Sequence, residues 1–178
     1  MERSPHPDPF HHPTRHPHRA GDNLRPCAVA AHLQGVIAIM PSSANASGVR
    51  AFEIVFDGGS LGNPGKGYGS FEITSGGEVI CHQREEYGNN ITNNQAEYMT
   101  LIKALEWLDQ FVEGQRATAK VHINGDSQLV INQVTGKWKI KAEQLRPYTE
   151  RIRSLMSGYR SATIAWHARA NSVKRLGH

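Results

Sequence analysis

The sequence predicts an α/β fold, a mixed five-stranded sheet flanked by helices. Three observations carry that prediction. Apolar alternation over residues 52–56 runs into Asp57, and a second strand pattern over 120–124 runs into Gly125-Asp126. Residues 67–74 and 78–87 are also strand-like and are joined by Ser75-Gly76-Gly77, a hairpin signal that makes an antiparallel three-strand meander. A helical period then separates this meander from the strand at 120, and a helical crossover makes the first and fourth strands parallel neighbours.

Each element has its own local cause. The first strand is expected to stop at Asp57, where four glycines in the next eight residues allow the backbone to approach a bulky, charged ligand. Thr92-Asn93-Asn94 supplies good N-caps for a helix carrying Leu101, Ala104, Leu105, Leu108 and Val112 on one face, with Gly114 as its stop. Glu97 falls in the first turns of that helix. Ser127 opens a short helix that ends near Gly136, followed by the basic, aromatic stretch Lys137-Trp138-Lys139-Ile140-Lys141. Residues 143–156 place Leu145, Tyr148, Ile152 and Leu155 on one side of a further helix, and 162–167 read as the last strand. Only eleven residues follow, so a C-terminal helix is short or absent.

Composition sets the outer bounds. A chain of 178 residues suffices for one ordinary core. Its formal charge of +4 is compatible with a polyanionic partner without requiring one. Two cysteines, Cys27 and Cys81, are too few for a disulfide framework or a zinc site, so a reducing, cytoplasmic setting is expected. No apolar run approaches the roughly 20 residues that span a bilayer. The first fifty residues hold seven of the nine prolines and six of the ten histidines. Proline at that density forbids regular structure, so residues 1–47 read as a disordered extension and 48–178 as the domain. The histidine tract has no core to hold metal ligands in geometry. Residues 28–40 imitate a signal peptide weakly, and Met40 is an alternative start.

Asp57 and Asp126 at neighbouring strand ends, with Glu97 at a helix start, can converge where open α/β sheets collect ligands. Three carboxylates without histidine or cysteine suit Mg²⁺ or Mn²⁺. Two such ions about 4 Å apart can clamp the attacking and leaving oxygens of a phosphodiester. Spacing alone equally allows three unrelated surface acids. The basic stretch reads either as a phosphate-contacting surface with Trp138 interleaved or as a solvated loop with Trp138 in the core.

In order along the chain, Asp57-Gly58-Gly59-Ser60 with Gly62-Asn63-Pro64-Gly65, Thr92-Asn93-Asn94 with Glu97, and Gly125-Asp126-Ser127-Gln128-Leu129-Val130 resemble type 1 ribonuclease H, in its bacterial and archaeal branch. The resemblance covers residues 52–167. It implies the ribonuclease H-like five-stranded sheet, two Mg²⁺ ions (Mn²⁺ as substitute) and cleavage of the RNA strand of RNA/DNA hybrids by a monomer. It implies Asp57, Glu97 and Asp126 as metal ligands and catalytic residues. Gly58, Ser60, Asn63, Asn93 and Asn94 would lie along the hybrid, and Lys137, Trp138 and Lys139 would meet it through phosphates and sugars. The family's fourth acid is missing, because the last acidic residue is Glu150. Asn171 is the best positional stand-in, His178 is a second candidate ligand, and His167 or His178 corresponds to the family's product-release histidine. Two other readings follow from the same residues: a hybrid-binding module impaired in catalysis, or a related two-metal 3′–5′ exonuclease.

Overall fold

The computed structural model describes residues 49–177. The extension at 1–47 and His178 lie outside the described residues. The elements in chain order are β1 (Arg50–Gly62), β2 (Gly65–Ser75), β3 (Glu78–Ile91), α1 (Asn93–Phe111), β4 (Ala119–Gly125), α2 (Gln128–Val134), α3 (Arg146–Ser157), β5 (Ser161–Trp166) and α4 (Arg169–Leu176). The sheet order is β3-β2-β1-β4-β5. β1, β2 and β3 pair antiparallel, whereas β4 lies parallel to both β1 and β5. The predicted mixed sheet is therefore present.

One expectation is corrected. β1 does not end at Asp57 but continues through the glycine-rich stretch, keeping register with β2 from Asp57↔Ser70 to Gly62↔Gly65. The reason is steric: these glycines let other parts of the chain lie against a continuous ladder. A Cβ on Gly58 would fall 2.6 Å from backbone atoms of Ala96 and Glu97, so only glycine lets α1 press on β1 there. The β2–β3 turn is built as expected, with Gly76 and Gly77 both at positive φ, 59° and 85°.

Strand alternation divides the sheet into two faces. Ile54, Phe56, Phe71, Ile73 and Ile123 point to one side, where Leu101, Leu105 and Leu108 of α1 and Ile152 of α3 join them in the core. The opposite side carries Glu53 and Glu72, and there α4 packs on β1 and β2. Arg175 of α4 donates to Glu72 Oε1 at 2.7 Å and to Glu53 Oε2 at 2.8 Å. Asn124 and Thr74 also donate to Glu53. Burial raises the Glu53 carboxyl, but the Arg175, Asn124 and Thr74 contacts outweigh it and leave the group below its ordinary value. Leu176 is buried beside this cluster, so eight residues suffice to close the fold.

Cys81 is buried and belongs to the hydrophobic core. Cys27 lies outside the described residues.

Candidate metal centre

Three elements deliver the acids. The parallel register sets Phe56 beside Gly125, so Asp57 and Asp126, each one residue further on, stand side by side. Glu97 arrives from the first turns of α1. Thr92 caps that helix in a reciprocal box with Gln95, which satisfies two otherwise orphaned backbone donors. Gly58 allows the approach: a Cβ there would lie 2.6 Å from the carbonyl carbon and oxygen of Ala96 and from the Glu97 nitrogen. One carboxylate oxygen from each of Asp57, Glu97 and Asp126 lies within 4.8 Å of the others. The three acids are thus a cluster, not unrelated surface groups.

The cluster is enclosed and polarised. The Asp57 and Asp126 side chains are 3% and 8% exposed. Burial pushes the Glu97 carboxyl up to about 7; the Ser127 hydroxyl opposes this, donating at 2.5 Å, while Asp126 and Asp57 add to the rise. Ser127 also caps α2, accepting from the Val130 N–H, so one hydroxyl both starts a helix and orients an acid. Asp126 Oδ2 is buried and has no hydrogen-bond partner among the described residues. A buried carboxylate oxygen in that state calls for a cation, and three hard oxygen donors fit Mg²⁺ or Mn²⁺.

A cation of the chain's own lies beside the acids. Arg169, the first residue of α4, has its guanidinium 3.5 Å from Asp126 Oδ2 and 3.9 Å from Asp57 Oδ2. No motif in the sequence marks it, although it lies two residues before Asn171, the stand-in for the fourth acid. Asn171 sits in the same first turn, exposed, with its backbone N–H bonded to Ala168 O. His167 is half-buried, its Nε2 2.7 Å from the buried Ser172 Oγ and its N–H bonded to Gly125 O, which braces the β5–α4 corner. Trp166, also missed, is half exposed and donates from Nε1 to the Asp126 carbonyl at 3.1 Å.

The remaining candidates lie on two flanks. At the hairpin tip the Asn63 side-chain oxygen accepts from the Asn93 N–H at 3.2 Å, and the Asn93 side-chain oxygen accepts from the Ser60 N–H at 2.8 Å. These bonds lock β1–β2 to the start of α1 and engage carbonyl oxygens, not the amide NH₂ groups. Ser60 Oγ is buried with no hydrogen-bond partner among the described residues. Asn94, Lys137, Trp138 and Lys139 line a groove of about 580 Å³ together with Lys141, above Leu129 and Leu145. Trp138 is 48% exposed, so it belongs to the surface and not to the core. Gln133 anchors this loop, donating to Lys139 O and accepting from Tyr98 O–H at 2.6 Å.

Comparison with known proteins gives one consistent result. Residues 57–173 match the family model described as reverse transcriptase-like. The chain is 37% identical over 119 residues to ribonuclease HI of Halobacterium salinarum, covering 67% of this chain and 57% of that protein. It therefore spans little more than half the length of that relative. The crystal structure of RNase H1 from the same archaeon superposes with a TM-score of 0.62 at 35% identity, covering 68% of this chain and 89% of the other. LC11-RNase H1, solved in complex with an RNA/DNA hybrid, gives 0.64 at 28% identity, covering 69% and 89%.

Proposed function

The chain belongs to the ribonuclease H family, and on that premise we propose that it cuts the RNA strand of RNA/DNA hybrids internally, with divalent metal ions at Asp57, Glu97 and Asp126. The observation that carries the reading is the enclosed three-acid cluster at the end of parallel strands, beside a basic groove. Two Mg²⁺ ions, or Mn²⁺ in their place, would supply Lewis-acid stabilisation of the charge that develops on phosphate oxygens. The chain's own residues do the rest. Ser127 holds Glu97 in orientation, and the parallel register holds Asp57 against Asp126. Lys137, Lys139 and Lys141 draw phosphates into the groove, with the Trp138 indole available to pack on a sugar or base. Gly58, Ser60, Asn63, Asn93 and Asn94 form the flank on which 2′-hydroxyls and base edges are met without sequence readout. The hybrid-bound relative supports this choice of substrate. Asn171 belongs to the reading as a neutral ligand in place of the fourth acid, and His167 as a bracing residue beside it. A monomer in the cytoplasm completes it. No helix among the described residues is long and apolar enough to cross a membrane.

One observation favours a second reading. A cation, Arg169, stands beside the acids on the helix where a fourth carboxylate is expected, which suits a hybrid-binding module of reduced activity. Cleavage of an internally labelled, end-blocked hybrid with Mg²⁺ and with Mn²⁺ separates the readings. Internal cuts are expected, and Asp57→Asn should reduce them on the order of 10²–10³-fold, the scale of losing a group that stabilises transition-state charge. Tight hybrid binding with no cuts under either metal would leave the binding module. Trimming only of substrates with a free 3′ end would identify the exonuclease.

A further inference from the structure

The two arginines of α4 are held in different ways. Arg175 makes hydrogen-bonded ion pairs at 2.7 and 2.8 Å and its side chain is 26% exposed. Arg169 approaches Asp126 and Asp57 only to 3.5 and 3.9 Å, beyond hydrogen-bonding distance, and its side chain is 67% exposed. Its anionic partners are the reverse: buried, and fixed by β1 and by the end of β4. Attraction without hydrogen bonds, between an exposed cation and buried anions held by strands, is a contact in which the cation can leave and the anions cannot.

From this contrast we infer that Arg169 is a tethered counter-ion of the metal-free site, which an entering divalent ion must displace. The inference rests on the metal-site reading of Asp57, Glu97 and Asp126. An ion ligated by these oxygens sits about 2 Å from each, which puts it within a few ångströms of the guanidinium. At that separation a divalent ion and a guanidinium repel one another, so the two occupants exclude each other unless the arginine swings out. Its exposed, unbranched stem permits that movement. The guanidinium therefore lowers metal affinity while it stabilises the empty carboxylates, and it delivers a free cation to the rim of the site once metal has entered.

The test is metal binding without substrate. Mn²⁺ is titrated calorimetrically into the substrate-free full chain, Arg169→Ala, Arg169→Lys and Asp57→Asn at low and high KCl, and melting is followed in EDTA and in saturating Mn²⁺. Arg169→Ala should bind Mn²⁺ roughly three- to tenfold more tightly, the scale of one or two exposed ion pairs, with the gain shrinking as salt rises. Arg169→Lys should stay close to the parent. In EDTA, Arg169→Ala should melt below the parent, and saturating Mn²⁺ should abolish that deficit. A merely structural arginine would lower melting equally with and without Mn²⁺ and leave affinity unchanged, which overturns the inference, as does weaker binding in Arg169→Ala. If the parent takes up no Mn²⁺ and Asp57→Asn behaves identically, the metal-site reading itself fails.

Discussion

Gly58→Ala tests the route by which Glu97 reaches the strand aspartates. The added Cβ would lie 2.6 Å from three backbone atoms of Ala96 and Glu97, against about 3.4 Å for ordinary contact. Backbone atoms of a capped helix cannot rotate away as a side-chain tip can, so α1 must withdraw by something near 0.8 Å at its first turn. Overpacking of this kind costs about 1–3 kcal/mol, which for a chain of this size lowers the melting temperature by roughly 3–10 °C. The functional loss should be larger than the stability loss. Glu97 rides on the displaced turn, and a misplacement near 1 Å can cost about 10²-fold in rate. The assay is thermal unfolding beside hybrid cleavage and Mn²⁺ affinity. Gly158→Ala serves as control, because its Cβ would meet only the tip of the Arg116 side chain, at 3.0 Å. Parent-like melting and cleavage in Gly58→Ala would refute the claim that this glycine sets the helix–strand distance.

Two further predictions concern charge. Glu97 is pushed from 4.5 up to about 7, so between those values the folded chain binds more protons than the unfolded one. Stability in chelator should therefore fall as pH rises from about 4.5 to 7, by up to about 3 kcal/mol, and level off above. Urea denaturation across that range checks it, and Glu97→Gln should flatten the slope; an unchanged slope assigns the effect elsewhere. Along the groove, Lys139→Ala should weaken hybrid binding and lower its salt slope by about one. Trp138→Ala should weaken binding with the slope intact, and fluorescence anisotropy at several salt concentrations distinguishes the two. Equal slopes for parent and Lys139→Ala would remove that lysine from the phosphate path.

Period and turn chemistry made most of the molecule legible in the sequence. The alternation at 52–56 and 120–124, with a helix between them, was enough to place Asp57 beside Asp126, and the caps at Thr92 and Ser127 located Glu97 and α2. The continuation of β1 through Gly58–Gly62 was not legible, because glycine signals a turn in the absence of neighbours and close packing in their presence. Arg169 was missed for a related reason. A search for a missing carboxylate looks for oxygen, whereas the side chain that reaches the acids carries the opposite charge. No local pattern in the sequence states that Arg175, six residues later, points to the sheet and Arg169 to Asp57 and Asp126. The ladder and the two acids Glu53 and Glu72 decide it, through strand alternation far away in sequence.

That division of labour gives α4 a mechanical character. At eight residues the helix is about 12 Å long. Its far end is bolted to Glu53 and Glu72, while its near end carries a lightly held charge beside the carboxylates. Its geometry is that of a cantilever: the clamp is hydrogen-bonded and the tip is not. The bolts are themselves acidic, so the sheet carries carboxylates at both ends of one short helix, one pair satisfied permanently by arginine and one set only provisionally. A change at the clamp, remote from every reacting atom, would therefore register first in how the tip shares its charge with an incoming ion.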